Sequence, residues 1–271
     1  MDKTDATKKG GERQPVPFRG GGFSPRPVRY AGIAVFAFLI AFMEWGARSG
    51  WISELTLPAP SAVALTLTGL YRSGLFWTHL GPSLSRLFIG AFIGIGAGIA
   101  IGLLMGLFSH IRAGLLPLVA ALFPVPKIAL LPLFVIWFGI GEASKYALIA
   151  FGAFMPMVVA TYGAVDNVDR TLVRMGQSFG LSWFSIVRKI VLPGALPGIF
   201  SGLRISLAIA IILLVAAEMI GAEHGIGAYI LEAGSLYDLE RLFAGVVILS
   251  IIGMIISKVL DIAEAHFLRW R

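Results

Sequence analysis

Six long, mostly apolar stretches leave this chain few ways to fold. A bilayer core of about 30 Å needs roughly 20 mainly apolar residues per helix, and six segments meet that length: Val28 to Ala47, Ser83 to Leu107, Leu115 to Phe138, Tyr146 to Val165, Ile199 to Ile220 and Leu242 to Ile262. An all-α polytopic membrane protein with six transmembrane helices is expected. The composition agrees, since 57% of the 271 residues are apolar and only 14% are charged, against about a quarter charged in soluble proteins. Pro117, Pro124, Pro126 and Pro132 interrupt the third stretch. Broken backbone at membrane depth is tolerated only where protein or a watery cavity surrounds it, so this span is expected to face the centre of an assembly.

Lys and Arg set the expected direction, because cytoplasmic loops hold the excess. With the N-terminus inside, fifteen of the twenty-two fall on the cytoplasmic side, seven of them before residue 30, and four fall outside. Both termini are therefore expected in the cytoplasm of a multi-pass inner (plasma) membrane protein. The net charge of +7 reads as this topology signal and not as a nucleic-acid footprint. Residues 1–27 are polar, rich in Gly and Pro, and predict a disordered cytoplasmic tail, followed by a transmembrane domain over 28–271.

The absence of cysteine excludes disulfides, thiol catalysis and cysteine metal sites. His79, His110, His224 and His266 are not spaced as ligand pairs, and they read as interfacial polar residues; no metal site is predicted. Small residues recur every fourth position at Gly90, Gly94, Gly98, Gly102 and Gly106, and again at Gly198, Gly202, Ser206 and Ala210. Such stripes let helix backbones approach closely in lipid.

Between the fourth and fifth stretches lies a segment of roughly thirty residues, Asp166 to Pro197. It holds Gly176-Gln177-Ser178-Phe179-Gly180, a formal match to the G-x-S-x-G nucleophile elbow. That elbow needs a strand before the serine, and the preceding residues are helical in character, so no catalytic residue is assigned. After Gly180, suited to a left-handed helix cap, Ser182 can cap a new helix. Trp183, Ile186, Val187 and Ile190 recur on one face of it, and Leu192-Pro193 is expected to end it. Two readings are open for this amphipathic helix: it lies on the membrane surface, or it inserts into a groove of a cytosolic partner.

The spacing Gly180, nine residues, Ile190, one residue, Leu192-Pro193 resembles the cytoplasmic loop motif of ATP-binding-cassette (ABC) importer permeases, E-A-A, three residues, Gly, nine residues, I-x-L-P. Arg174-Met175-Gly176 depart from its first three positions. Pro124-Val125-Pro126-Lys127-Ile128-Ala129, Ile136 to Glu142 and Val215 to Ile220 resemble the branch that serves nitrate, taurine and aliphatic sulfonates. The likeness covers roughly residues 60 to 265. It implies a type I importer permease fold with a short cytoplasmic coupling helix between spans four and five, and a permease for a small anion that works by alternating access.

The implied partners are a second copy of the chain, two cytosolic ATP-binding subunits and an extracytoplasmic substrate-binding protein. ATP and magnesium are expected on the ATPase subunits, since this chain has no G-x-x-x-x-G-K-[ST] phosphate loop. Docking of those subunits falls on Gln177, Ser178, Phe179, Gly180, Leu181, Ser182, Trp183, Ile186, Val187, Leu192 and Pro193. Alternatives are a non-anionic cargo such as a pyrimidine precursor, a carrier without an ATPase, or an enzyme using Ser178.

Ionisable residues inside spans are costly and mark candidate function. Lys127, in the proline-broken span, is a candidate anion-facing charge on the translocation path. Glu218 either pairs with a neighbour or lines an outer gate. Arg204 either lines the path or extends to the inner interface.

Overall fold

The computed structural model describes residues 30–53 and 56–269; the tail expected over residues 1–27 lies outside them. No strand occurs among the described residues, in keeping with segments that must satisfy their backbone hydrogen bonds within apolar surroundings. Among the described residues, four helices are long and apolar enough to cross a membrane: α3 (Leu75–Leu107), α6 (Glu142–Asp166), α9 (Leu192–Met219) with its lead-in from Trp183, and α11 (Leu239–Phe267). A fifth crossing is formed if α4 (Ser109–Leu122) and α5 (Leu131–Phe138) count as one span. They are bent by 92° about the Pro124-Val125-Pro126 segment and a tight turn over Lys127–Leu130, as the prolines predict. The first expected span corresponds to α1 (Ala31–Arg48), 18 residues long and largely exposed.

Two short helices, α2 (Pro60–Arg72) and α10 (Ile226–Ser235), occupy segments expected to be loops. Each has a local cause. Pro60 stands in the first turn of α2, where its missing N–H costs nothing, and the Glu44 carboxylate accepts from the Ser61 N–H at 2.9 Å. The start of α10 is held by Glu218, as described below.

The core is a sandwich of α3, α6 and α9, with α6 in the middle. Every member of the α3 glycine stripe meets α6: a Cβ on Gly90 would lie 2.7 Å from the Ile149 Cβ, on Gly98 2.7 Å from the Met157 Cβ, on Gly102 2.6 Å from the Thr161 Cβ and on Gly106 2.6 Å from the Val165 Cβ. Gly94 makes the closest approach, 2.1 Å from the Ala150 carbonyl oxygen. The second stripe packs on the same helix from the other side, with Gly198 against Ala164 and Gly202 against Ala160. Close packing of small residues takes the place of water exclusion as the force between helices in lipid.

The helix after Gly180 does not end at Leu192-Pro193. It begins at α8 (Trp183–Ile186), passes through a π turn over Val187–Val191 and runs on as α9, 37 residues in all. The wider turn is what lets it continue: Leu192 donates to the Val187 carbonyl, five residues back, so the chain enters Pro193 with the register in which a proline normally clashes already shifted. The expected end of that helix at Leu192-Pro193 is thus corrected. The short, free-standing helix of this segment is α7 (Arg170–Ser178), before Gly180.

Candidate functional site

One end of the sandwich carries a helix–turn–helix tip. The Asp169 carboxylate opens α7 by accepting from the Thr171 N–H at 2.7 Å. Gly180 closes it with φ +69°; Leu181 N–H donates to the Gly176 carbonyl at 3.0 Å and Gly180 N–H to the Gln177 carbonyl at 2.9 Å. This pair of bonds is the left-handed helix cap that a glycine favours. Ser182 then caps α8 by accepting from the Ser185 N–H at 3.3 Å. The turn is therefore defined by hydrogen bonds on both sides.

Phe179 is 79% exposed and Phe184 65%, with Leu172, Met175 and Trp183 about half exposed beside them. Trp183 also leans on Phe108 at 5.7 Å between ring centroids, which braces the tip against the α3–α4 corner. Ile186 and Val187 are turned the other way. Both are buried: Ile186 lies in a cluster with Val165, Val168, Val191 and Ala195, and Val187 lines the cavity behind the tip, so this part of the stripe that reads as a docking face is turned into the chain's own interior. Gln177, Ser178, Phe179, Gly180, Leu181, Ser182 and Trp183 are gathered at the exposed tip, whereas Leu192 and Pro193 are half-buried in the start of α9. Leu172, Met175 and Phe184 were not anticipated. The first two share a helical face with Phe179, a spacing legible before Gly180 as well as after it.

Ser178 donates to the Arg174 carbonyl at 3.0 Å, an ordinary bond to the preceding turn of a helix. Helix stands on either side of it where an elbow would need a strand. A cavity of about 410 Å³ lies behind the tip, lined by Arg170, Arg174, Gln177 and Trp183 with the ends of α3 and α6.

The opposite end is tied by an ion cluster around the buried Arg86. Arg86 of α3 grips Glu142 of α6 with two bonds, Nε to Oε2 and Nη2 to Oε1, both 2.7 Å. Its Nη1 donates to Glu218 Oε1 of α9 at 2.8 Å and to the His224 carbonyl at 2.6 Å. Glu218 also accepts from Ser83 Oγ, at 2.8 and 2.9 Å to its two oxygens, and from the Gly227 N–H at 2.8 Å. Its side chain is fully buried. Its negative charge sits at the N-terminus of α10, where free N–H groups favour it. A Cβ on Gly225 would lie 2.5 Å from that carboxyl carbon, so only glycine lets the loop wrap it. His79 reaches the same loop through Gly225, and Ser83 Oγ accepts from the Ile226 N–H at 2.8 Å.

Glu218 is therefore a paired, structural charge in this conformation, one of the two readings its position left open. Arg86, which falls inside the expected stretch Ser83 to Leu107, is the hub. A guanidinium inside a glycine-rich apolar helix had to find carboxylates, and that was the signal for it. Arg204 pairs with Asp261 at 2.7 Å and with Glu264, tying α9 to α11. Lys127 stands at the bend between α4 and α5, where its ammonium donates to the Phe123 carbonyl and lies over the Phe123 ring. Lys127, Arg204 and Glu218 thus sit in three separate settings and do not form one site.

Residues 94–271 match the family described as binding-protein-dependent transport system inner membrane components. The taurine transport system permease protein TauC of Escherichia coli is 37% identical over 243 residues, 88% of each chain. The SsuC permease protein of Bacillus subtilis, named for aliphatic sulfonates transport, is 35% identical over 240 residues, 89% of this chain and 87% of that one. Among solved structures, a chain of the inward-facing MetNI methionine ABC transporter superposes with a TM-score of 0.62 at 23% identity, covering 71% of this chain and 96% of that one.

Proposed function

Because the chain belongs to the family of binding-protein-dependent transport system inner membrane components, we propose that it is the permease subunit of an ATP-driven importer for a small sulfonate-type anion, gripped by its ATPase at the α7–α8 tip. It is a multi-pass transport permease and not an enzyme. The exposed aromatic cluster at a hydrogen-bonded turn carries the docking reading. Large rigid apolar side chains dominate partner binding, and exposing Phe179 and Phe184 on a braced turn serves a partner better than it serves a lone chain.

In this reading α1, α3, the bent α4–α5 pair, α6, α9 and α11 make six crossings with both termini in the cytoplasm. The tip lies inside and the Arg86 cluster lies toward the extracytoplasmic face. ATP and magnesium bind the two ATPase subunits. Their closure pushes the tip, and the continuous helix from Trp183 to Met219 carries that motion across the membrane without a loose joint. The second permease copy covers α4 and α5, which leave a bend, Lys127 and many apolar side chains uncovered in the single chain. A binding protein delivers the cargo from outside. The sulfonate class is supported by the relatives named for taurine and aliphatic sulfonates.

Gly180→Val tests the docking reading. The position has open space around it but φ +69°, so a β-branched side chain distorts the turn and nothing else. ATP-driven taurine uptake by the assembled transporter is expected to fall at least tenfold with unchanged membrane insertion. Normal uptake by that variant argues against the tip as the coupling element.

A further inference from the structure

The two carboxylates held by Arg86 differ in how firmly they are held. Glu218 is fully buried and accepts from Arg86, Ser83 and the Gly227 backbone. Glu142 keeps 48% of its side chain exposed, and its partners are all cationic: the Nε–Nη2 edge of the Arg86 guanidinium and, at 3.4 Å, the Lys145 ammonium. Both cations are themselves buried, at 5% and 4% exposure. They form one wall of a cavity of about 540 Å³ that Ser85, Tyr146 and His224 also line, with the exposed carboxylate of Glu223 at its rim.

A guanidinium fork with an ammonium beside it is what a planar carboxylate or two oxygens of a sulfonate require. Glu142 fills that place from within the chain. As the first residue of α6 it keeps the favourable field of the helix N-terminus when it turns to solvent. Glu218 stays behind and neutralises one of the two cations, leaving the other for an incoming charge.

We propose that Arg86 and Lys145 form an anion subsite at the extracytoplasmic end, with Glu142 as the resident carboxylate that an incoming sulfonate head displaces. The proposal rests on the importer reading for the class of anion and for the side on which the cavity opens. Displacement also releases the tie between α3 and α6, which couples arrival of the cargo to loosening of that end.

Ethanesulfonate binding to the purified full-length chain in lipid nanodiscs, followed by calorimetry, tests it. Ethyl methyl sulfone, which is similar in shape and uncharged, serves as the control. Glu142→Gln removes the competing charge and is expected to tighten ethanesulfonate binding about tenfold or more, in line with the strength of hydrogen bonds to charged groups. Adding Lys145→Gln reverses the gain, and the sulfone binds to neither. Should Glu142→Gln fail to fold, as judged by thermal unfolding in the same discs, Glu142→Asp keeps the charge on a stem too short to engage the fork fully, and still tightens binding.

Equal affinity in the parent chain and in whichever of these variants folds overturns the subsite, as does a gain that survives Lys145→Gln. Taurine uptake by the assembled transporter separates the two readings. Uptake of taurine with no change of affinity in the variants removes the subsite and keeps the importer. Tightened binding in a transporter that carries only neutral cargo keeps the subsite and removes the anion importer.

Discussion

Glu218 holds three helices at once: α9 through its own backbone, α3 through Arg86 and Ser83, and α10 through the Gly227 N–H. Breaking a buried pair by removing one partner costs about 3–5 kcal/mol, because the remaining charge is left uncompensated. Glu218→Ala is accordingly expected to lower the unfolding temperature of the detergent-solubilised chain sharply, and Glu142→Ala, half exposed, to lower it less. Arg204→Ala, whose ion pairs are open to the surroundings, is expected to change it little. Equal losses at all three positions contradict the hierarchy. The sequence marked Glu218 as an ionisable group at membrane depth and offered pairing as one of two roles. The partner itself was hidden by distance along the chain, since Arg86 lies 132 residues away and no local pattern joins them.

At the scale of elements, the α3 stripe is a set of contacts with unequal tolerance. A Cβ at Gly94 meets the Ala150 carbonyl at 2.1 Å, and backbone cannot move aside; at Gly96 nothing lies within 4 Å. Gly94→Val is expected to abolish the folded, extractable chain, and Gly96→Val to leave its yield and unfolding temperature near those of the parent. The four-residue period was legible because small residues are the signal for close approach in lipid. What the period could not say is that α6, and not a second copy of α3, receives it. The glycine and serine caps at residues 180 and 182 were also legible, being local chemistry.

The end of the following helix was not legible. Whether a proline stops a helix depends on the hydrogen-bond register before it, and here a π turn changes that register. Because each residue turns an α-helix by about 100°, deleting the exposed Lys189 should convert the wide turn and rotate the tip relative to α9. ATP hydrolysis without uptake is the expected phenotype. Unimpaired uptake means that the π turn has no part in coupling.

At the scale of the whole molecule, the sandwich of α3, α6 and α9 is pinned by small residues along its length and by the Arg86 cluster at one end, and it holds an aromatic tip at the other. A rigid body with one exposed, braced projection is suited to being driven from that projection. The chain contains no cysteine, so Phe179→Cys introduces a single thiol. Coupled to a photoreactive maleimide in the assembled transporter, that thiol is expected to cross-link to the ATP-binding subunit on illumination. If the thiol instead cross-links only to lipid, or reacts only with membrane-impermeant reagent applied from outside the cell, the tip is not where the ATPase takes hold.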